Sequence, residues 1–457
     1  MVIAQPGNRP KRAANVAIVG GGPGGLLTAF LLQRSALRPI RTTIFEASDR
    51  LGGKILTPSF TAAPVRYEAG AAEFYDYTPV GEDPLRDLVA EFGLPTTPLG
   101  GTSLIIDGTP ISNLDDIAAS LGAEARRELL AFDIRARSGM TPREFYLSDE
   151  HLPAVPETFT HTLDRIRHPA ARRYVEMLIH SDLATEPALT SVSYGLQNYL
   201  MNDPAYMRLY AIAGGNHRLV DALVARIDAT IRLGTRITHV GAGEAGRLSV
   251  TAQANGKTTA TDFDALVLAL PLQHLAAVRF EKGPLATAMQ RHCDEHDHPA
   301  HYLRVTALFD EPFWRGTIDG SYAMLDAFGG CCLYDESSRE PSPRHGVLGW
   351  LLGGEAAAAM AALDDDALVA LVLDSLPPAF GDARSRLIEA RVHRWTGAVS
   401  GLPGGWRPRG LDRRHQPEPV GHPNLFVVGD YLFDSTLNGV LDSAAHVAGW
   451  LAALGGD

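Results

Sequence analysis

The sequence predicts an α/β and α+β protein, in which a doubly wound α/β domain is interleaved with a second domain of mixed sheet plus helices. A strand, a glycine-rich turn and a helix follow one another near the N-terminus. The stretch from about residue 80 to 210 has helical apolar spacing, and a buried strand ending in Gly-Asp lies near the C-terminus. Because signals of the first domain occur near both ends and in the middle, we expect both domains to be discontinuous.

The first strand covers residues 15–19, an apolar run too short for a helix. It leads into Gly20-x-Gly22-x-x-Gly25 and a Leu- and Ala-rich helix over residues 26–35. In such a pattern the first glycine permits a tight turn, the second lets a pyrophosphate approach the backbone, and the third lets helix and strand pack closely. A second strand, residues 41–45, ends in Glu46, which can accept hydrogen bonds from a ribose. This βαβ unit is Rossmann-like. Its predicted nucleotide contacts are Gly20, Gly22, Pro23, Gly24, Gly25, Glu46 and Ala47.

The next loop places two glycines between two cations, as Arg50-Leu-Gly52-Gly53-Lys54. A loop of this composition can approach a phosphate or a flat ring. Its position directly after Glu46 makes the signal specific, because plain nicotinamide enzymes do not need such a loop. We expect Arg50, Gly52, Gly53 and Lys54 to contact the cofactor.

The later elements follow from apolar spacing and turn residues. A helix over residues 219–227 follows Gly214-Gly215, and a hairpin turn is predicted at Asn255-Gly256. A final strand, residues 424–428, ends in Gly429-Asp430, and a last helix runs from about Gly439 to residue 454. The other predicted strands cover residues 231–233, 236–240, 248–252, 265–270 and 302–325, and a further helix covers residues 356–373.

The expected domains follow from this order. Residues 1–80, 211–280 and 420–457 form the nucleotide-binding domain, and residues 81–210 and 281–419 form the substrate-binding domain. A carboxylate and a second helix N-terminus at the last strand suit a ribityl chain or a pyrophosphate. We therefore expect Gly429, Asp430, Gly439 and Val440 to contact the cofactor.

Composition excludes several classes of protein. The 457 residues carry a net charge of −12 and no long basic block, which argues against nucleic-acid binding. Three cysteines cannot form a disulfide framework. No apolar run reaches the length of a membrane span, and residues 1–15 are typical of a flexible tail and not of a signal peptide. We expect a cytoplasmic protein without a membrane anchor, and a homodimer is compatible with the sequence.

Together these residues resemble the flavin amine oxidase superfamily, which includes monoamine, L-amino-acid, polyamine and protoporphyrinogen oxidases. The resemblance covers essentially the whole chain. It rests on residues 20–25, 46, 50–54, 67–71, 214–215, 265–272, 311–314, 394–395 and 429–444. It implies bound FAD, a substrate cavity over the flavin, hydride transfer from a C–H beside nitrogen to flavin N5, and reoxidation by O2. It also implies cofactor contacts from Gly70, Ala71 and Ile237.

Two positions depart from the family pattern. Many members carry a lysine ten residues before the Trp of the Glu-Pro-Phe-Trp segment, and here Arg304 occupies that position. A permanently charged guanidinium can bind a carboxylate but is a poor base. Amine oxidases also place a cage aromatic directly after the glycine that opens the last helix, where this chain has Val440. Trp395, Trp406 and Tyr431 are the candidate replacements, and we predict catalytic roles for Arg304, Trp395 and Tyr431.

One of the substrate-binding candidates, Glu73, favours a cation. Where L-amino-acid oxidases carry a carboxylate-binding arginine, Gly70-Ala71-Ala72 leads here to Glu73. Glu73 can attract an amine or a guanidine. The predicted substrate-binding residues are Glu73, Arg208, Tyr210, Arg304 and Trp406.

No metal site is expected. Four histidines close in sequence could coordinate a metal, but their spacing fits no zinc pattern. They are His292, His296, His298 and His301. Adjacent Cys331 and Cys332 are interpreted as buried structural thiols.

The sequence thus predicts an FAD-dependent oxidoreductase acting on a small amine or amino-acid derivative. Its Ala-, Arg-, Gly- and Pro-rich composition suggests a place in bacterial specialised metabolism. Two alternatives stay open at this point. One is a C–C dehydrogenase of the protoporphyrinogen oxidase or carotenoid desaturase kind, since a fold does not determine a function. The other is a non-catalytic FAD-fold binding protein.

Overall fold

A computed structural model describes residues 12–101, 104–147, 155–318, 320–339, 344–433 and 435–453. The predicted N-terminal tail up to residue 11 and the last four residues of the predicted nucleotide-binding domain lie outside these ranges.

The described residues form a mixed α/β structure, as predicted. In chain order the strands are β1 (Ala14–Val19), β2 (Ile40–Phe45), β3 (Phe74–Asp76), β4 (Thr96–Leu99), β5 (Leu104–Ile106), β6 (Thr109–Ile111), β7 (Arg208–Ile212), β8 (Ala229–Arg232), β9 (Arg236–Ala242), β10 (Leu248–Ala254), β11 (Lys257–Phe263), β12 (Ala265–Leu268), β13 (Arg279–Phe280), β14 (Pro299–Phe309), β15 (Tyr322–Leu325), β16 (Cys331–Asp335), β17 (Gly346–Gly353), β18 (Leu387–Ser400) and β19 (Leu425–Val427). The helices are α1 (Pro23–Ser35), α2 (Pro84–Glu91), α3 (Leu114–Leu121), α4 (Ala123–Gly139), α5 (Pro142–Leu147), α6 (Phe159–Leu163), α7 (Pro169–Leu183), α8 (Val192–Leu200), α9 (His217–Val224), α10 (Leu272–Ala276), α11 (Pro284–Glu295), α12 (Gly354–Met360), α13 (Asp365–Asp374), α14 (Ala383–Arg386), α15 (Leu411–His415) and α16 (Leu437–Ala453).

A five-stranded parallel sheet with the order β19-β12-β1-β2-β8 forms the nucleotide-binding half. Ile18 on β1 lies opposite Ile44 on β2 and Val267 on β12. All three side chains are fully buried, because a parallel sheet is covered on both faces. Helices α1 and α16 cover one face of this sheet and pack against each other. The predicted βαβ unit is therefore confirmed, and its helix begins at Pro23.

A seven-stranded sheet with the order β18-β14-β17-β16-β15-β5-β6 forms the second half. Its pairs are antiparallel, apart from the parallel pair of β15 with β5. Trp314 and Trp350 are fully buried in the core on one side of this sheet. Helices α4 to α8 form a separate apolar core, which also packs against this sheet. The sheet therefore lies between a strand-rich core and a helical layer.

Two smaller sheets complete the fold. One has the order β11-β10-β9-β13, and its hairpin turns at Asn255 and Gly256 with φ of 50° and 72°, as the Asn-Gly signal predicted. The other has the order β3-β7-β4 and connects the two halves. The domain boundaries given above stay a prediction.

Several element predictions were wrong in detail. The stretch 80–210, predicted as mostly helical, contains α2 to α8, but it also contains strands that were not predicted, namely β4, β5, β6 and the start of β7. These strands have three to five residues and pair with distant segments, as β7 does with β3, so local spacing carries little trace of them. The predicted helix 356–373 is two helices, because Asp364 caps α13 by accepting a hydrogen bond from the amide of Ala367. The strands predicted within 302–325 correspond to β14 and β15, whereas β18 was not predicted.

Across the described residues, no helix combines the length and the apolar character needed to cross a bilayer.

Candidate active site

The turn between β1 and α1 depends on its glycines. Gly20 has a φ of 112°, and a Cβ there would overlap the carbonyl oxygen of Ala269. A Cβ on Gly25 would overlap the carbonyl oxygen of Gly20. Gly22 caps α1 without any side-chain hydrogen bond. The first amides of α1 are therefore open to a phosphate, and the positive end of the helix faces it.

Glu46 lies beside the glycine turn. It follows β2 directly, and its Oε2 accepts a hydrogen bond from the amide of Gly21 at 2.8 Å. Its Oε1 accepts hydrogen bonds from the amide and the hydroxyl of Ser48. These donors hold the carboxylate beside the glycine turn and leave further lone pairs free for hydroxyl donors.

The predicted Arg50–Lys54 loop packs directly on that turn. The amide of Gly52 donates to the carbonyl of Gly21 at 2.8 Å. A Cβ on Gly53, which has a φ of 52°, would lie 3.0 Å from the Cα of Gly22. Arg50 donates to the carbonyl of Gly53 at 2.8 Å and so holds its own loop. The two predicted cofactor motifs thus form one surface.

Lys54 connects this surface to the C-terminal part of the chain. Its ammonium forms an ion pair with Asp430, three residues beyond the end of β19, and donates to the carbonyl of Ala398 at 2.6 Å. A Cβ on Gly70 would overlap the carbonyl oxygen of Lys54. Residues 54, 70 and 430 therefore meet, although the sequence predicted them from three separate motifs.

A cavity of about 170 Å³ opens at this meeting point. Its lining residues are Pro23, Lys54, Ile55, Gly70, Ala71, Ala72, Glu73, Phe74, Tyr75, Tyr302, Arg304, Leu351, Trp395, Ala398, Val399, Asp430, Ser435, Thr436, Leu437, Asn438 and Val440.

Glu73 lines the cavity with one oxygen engaged and one open. Its Oε1 accepts a hydrogen bond from the hydroxyl of Tyr334 at 2.9 Å. Its Oε2 is buried and has no hydrogen-bond partner among the described residues. Burial raises the pKa of Glu73 above its usual value, although Arg339, Arg304 and the Tyr334 hydroxyl oppose that shift. The unpartnered oxygen can accept a hydrogen bond from an ammonium or guanidinium ligand.

Arg304 lies on β14 and is completely buried. It forms an ion pair with Glu336, and its guanidinium lies 4.9 Å from the ring centre of Tyr334. Burial disfavours its charge, but Glu336 and the other surrounding groups raise the pKa of Arg304, so it stays a cation. Its Nε and Nη1 have no partner among the described residues. Arg304 therefore brings two unused donors to the cavity wall.

A second arginine completes this buried group. The Nε of Arg339 lies 3.3 Å from Glu336, and its guanidinium also donates to the carbonyl of Ala72, next to Glu73. Glu336 is thus held between Arg304 and Arg339. Tyr334 lies between this network and Glu73, so the charges of the cavity wall are coupled.

Trp395 also lines the cavity, from the strand next to that of Arg304. It lies on β18 directly across from Tyr302 on β14, and both side chains line the cavity. Its indole Nε1 donates to the carbonyl of Ala69 at 2.7 Å, which fixes the ring. A catalytic role for Trp395 stays a prediction.

The structure does not bring the other predicted residues to this cavity. Tyr431 is buried, with its hydroxyl 3.2 Å from the Nε2 of His292. Trp406 donates to the carbonyl of Glu295 and packs edge-on against His296 and His298. None of Tyr431, Trp406, Arg208, Tyr210 and Ile237 belongs to the described residues that line the cavity.

Arg208, Tyr210 and Ile237 lie elsewhere in the fold. Arg208 is exposed on β7, and Tyr210 is buried beneath the guanidinium of Arg86 at 4.3 Å. Ile237 is buried on β9, opposite Ala252. No structural observation tests the roles predicted for these residues.

Sequence reasoning missed Tyr75, Tyr302, Tyr334 and Glu336. Tyr302 could have been found, because it is two residues before Arg304 and therefore on the same face of β14. Tyr75 is two residues after Glu73, and the same argument applies to it. For Tyr334 and Glu336 no local signal exists, because the pairing of β14 with β17 and of β17 with β16 brings their segment to Arg304.

The histidine-rich loop does not form a metal centre. Among the residues that the structure describes, no group of three or more His, Cys, Asp or Glu side chains could hold an ion. Burial lowers the pKa of His292 well below its usual value and also lowers the pKa of His296. The three cysteines are buried and unpaired.

These residues fit the predicted cofactor, FAD. The glycine turn leaves no room for side chains, the first amides of α1 are open, and Glu46 has free acceptor sites beside them. The N-terminal residues of α16, from Leu437 to Val440, lie on the cavity with the Lys54–Asp430 pair. A phosphate at α1, a ribose at Glu46 and a flavin near the cavity would each find suitable partners.

Comparisons with known proteins identify the family and the fold of the chain. The sequence profile of the flavin containing amine oxidoreductase family matches residues 23–451. A curated relative, the carotenoid phi-ring synthase of Streptomyces griseus, is 27% identical over 99% of this chain and 90% of its own length. Putrescine oxidase with bound putrescine matches with a TM-score of 0.73 at 19% identity, over 97% of this chain and 99% of that one.

Cyclohexylamine oxidase from Brevibacterium oxydans IH-35A matches with a TM-score of 0.72 at 20% identity, again over 97% of this chain and 99% of that one. At such identities the two structures show the fold alone, and the family match extends over most of the chain. The chain therefore belongs to the flavin-containing amine oxidoreductase family and is an FAD-dependent oxidoreductase.

Proposed function

We propose that this protein oxidises a small cationic amine or amino-acid derivative, with O2 as the electron acceptor. FAD, when bound, accepts the hydride equivalent from the carbon beside nitrogen at its N5 atom. The single observation that supports an amine most strongly is the free Oε2 of Glu73 on the cavity wall. A buried carboxylate with an unused acceptor favours a positively charged ligand.

Glu73 has two proposed roles. It attracts the ammonium group, and its raised pKa makes it a better acceptor for the ammonium proton than an ordinary carboxylate. The neutral amine is the form that can lose hydride. Arg304 stays charged and does not exchange a proton, so it positions Tyr334 and Glu336 and presents donors to the cavity.

The balance of the reaction provides its test. The amine loses two electrons and two protons, water hydrolyses the imine to an aldehyde and ammonia, and O2 becomes hydrogen peroxide. We expect a panel of small amines to give ammonia, aldehyde and peroxide in equal amounts with the holoprotein under air. Peroxide formed together with a C–C desaturated product, and without ammonia, would contradict the amine assignment.

Replacement of Glu73 tests the recognition step. We expect Glu73→Gln to lower kcat/KM for amines by about 10- to 100-fold, the usual effect of losing a hydrogen bond to a charged group. Glu82→Gln removes an exposed carboxylate of the same segment and is expected to leave kcat/KM unchanged. A normal kcat/KM in Glu73→Gln, measured at equal flavin content, would disprove the role of Glu73.

A second candidate is a C–C or ring dehydrogenase. It is supported by the similarity to the carotenoid phi-ring synthase and by Val440 at the position of a cage aromatic. Product mass separates it from the amine reaction, because desaturation removes only two hydrogen atoms. We also propose that the protein acts in bacterial specialised metabolism and that it forms a homodimer.

A further inference from the structure

A group of polar side chains lies on the inner side of Glu73, and we call it the inner group: Tyr75, Asp182, Tyr302 and Tyr322. Tyr75 and Tyr302 line the cavity. The hydroxyl of Tyr302 donates to the backbone carbonyl of Asp182 at 3.2 Å, so Asp182 adjoins the cavity wall. All four lie deep inside the protein, yet each keeps part of its surface open. For Tyr75 and Tyr302 this open surface belongs to the cavity, and Asp182 and Tyr322 lie behind them.

Asp182 has no structural partner that explains it. Within the described residues its carboxylate accepts no hydrogen bond and contacts no cation, and the hydrogen bond from Tyr302 goes to its backbone carbonyl. Burial, followed by the charge of Glu73, raises the pKa of Asp182 to about 8. A buried carboxylate without a partner costs free energy, so the fold gains nothing from it.

The position of Asp182 in its helix makes this cost larger. It lies in the last turn of α7, which ends where Ala184 takes the left-handed conformation with a φ of 54°. The C-terminal end of a helix carries partial negative charge and disfavours an acid. Helix stability therefore does not explain Asp182 either.

The charges around the cavity also favour a cationic ligand. Two guanidiniums, Arg304 and Arg339, face two carboxylates, Glu336 and Glu73. Asp182 is the additional carboxylate of this group. Glu68, also nearby, accepts hydrogen bonds from the amide of Asn216 and the hydroxyl of Thr57 and lies outside the cavity lining. When Asp182 is ionised, the carboxylates of this group outnumber its guanidiniums, and a bound cation favours that ionised form.

The tyrosines suit a cation as well. The hydroxyls of Tyr75 and Tyr322 have no hydrogen-bond partner among the described residues, and phenol oxygens and ring faces both attract ammonium groups. Tyr322 lies 6.2 Å from the ring of Tyr334, which holds Glu73. The aromatic wall therefore extends from Glu73 toward Asp182.

We propose that Asp182 and the inner group bind a second positive charge on the substrate, so that the preferred substrates are diamines or amines with a distal guanidine. This inference rests on the proposed function, because Glu73 holds the amine that is oxidised. Asp182 is then a specificity residue that touches the substrate at the end away from the flavin.

Binding to the holoprotein with its flavin chemically reduced, under anaerobic conditions, tests the proposal without turnover, because a reduced flavin accepts no hydride. The probes are α,ω-diaminoalkanes of three to six carbons and 1-aminoalkanes of the same lengths, titrated by flavin absorbance and by calorimetry. We expect the best diamine to bind about 10-fold or more tighter than its matched monoamine, and Asp182→Asn to reduce that ratio to about 1. Glu176→Gln removes a surface carboxylate of the same helix, paired with Arg172, and is expected to keep the ratio.

A second readout uses the unmodified protein, in case Asp182→Asn fails to fold. A second cation site at a fixed distance predicts an affinity maximum at one diamine length, whereas monoamine affinity should change steadily with length. Equal affinities for diamines and monoamines, or a preference that survives Asp182→Asn, would overturn the inference. If diamines bind as expected but no amine reduces the flavin, the proposed function fails and the second cation site stands. If monoamines reduce the flavin and diamines bind no better than monoamines, the second cation site fails and the proposed function stands.

Discussion

At the scale of single residues, the ion pair of Arg304 and Glu336 dominates the site. Both side chains are 1% exposed. Removing one partner of such a pair leaves an uncompensated buried charge and typically costs about 3–5 kcal/mol. Exchanging both partners for neutral groups of similar size costs much less. The pair can therefore be probed by stability as well as by activity.

We expect Arg304→Met to lower the thermal midpoint strongly, because Glu336 keeps only Arg339. The single variant Glu336→Gln should lower the midpoint further, since it leaves two buried guanidiniums, Arg304 and Arg339, without their shared carboxylate. Melting curves of wild type and the two variants at equal flavin content test this. A Glu336→Gln protein at least as stable as Arg304→Met would show that packing, and not charge, is what Arg304 supplies.

Asp182 makes a prediction about pH. The group keeps its proton in the folded state up to about pH 8, against an ordinary pKa of 3.8. A raised carboxyl pKa means that stability is lost as the pH rises from about 4 to about 8 and then no further. We expect Asp182→Asn to be more stable than wild type, by a margin that grows over this interval and is constant above it.

Other groups around Asp182 titrate too, and the comparison between variant and wild type cancels them. The groups that face Asp182 are Glu73, Tyr75, Tyr302, Tyr322 and Cys332. His180 lies two residues before Asp182 on the same helix. Melting curves at several pH values measure the margin. A margin that does not depend on pH would contradict the raised pKa of Asp182.

At the scale of elements, the junction of β1 with α1 determines cofactor binding. We expect Gly25→Ala to lose most of its FAD, because the added methyl group overlaps the carbonyl of Gly20 and must displace α1 from the sheet. Gly449→Ala is the matched control. It lies in α16 with no neighbour within 4 Å of an added Cβ, and it should keep its flavin and gain up to about 1 kcal/mol. The ratio of flavin to protein after gel filtration measures both. Full occupancy in Gly25→Ala would refute the close-packing argument.

The elements also show how much of the fold could be predicted from the sequence. The strand–turn–helix around Gly20 and the hairpin at Asn255-Gly256 were predictable, because their signals are local. The strands β3, β4 and β7 were not, because none of them is stable without the other two. The long strand β18 has a half-buried pattern along most of its length and therefore lacks a clear apolar face.

The same distinction applies to the site. Five residues that were predicted from motifs lie together, namely Gly20, Glu46, Gly53, Lys54 and Asp430. The network around Arg304 was only half predicted, since Glu336 reaches Arg304 through the pairing of β14, β17 and β16. Asp182 carries no sequence signal at all, because a helical acid is ordinarily exposed.

At the scale of the whole molecule, the two halves meet at the cavity. The parallel sheet supplies the glycine turn, Glu46 and Asp430, and the seven-stranded sheet supplies Tyr302, Arg304 and Trp395. The proposed chemistry takes place where cofactor and substrate groups from both halves converge, so variants in either half should affect turnover. Membership of the family establishes the redox class, and the lining of the cavity carries the proposed substrate class.

The ion pair between Lys54 and Asp430 spans 376 positions of the chain. During synthesis, Lys54 emerges from the ribosome long before β19 and α16 exist. A nascent chain can therefore form the early βαβ unit yet lacks the partner that completes the flavin surface. FAD would then be captured only after nearly all of the protein has been translated, and a chain truncated before residue 424 should accumulate without flavin.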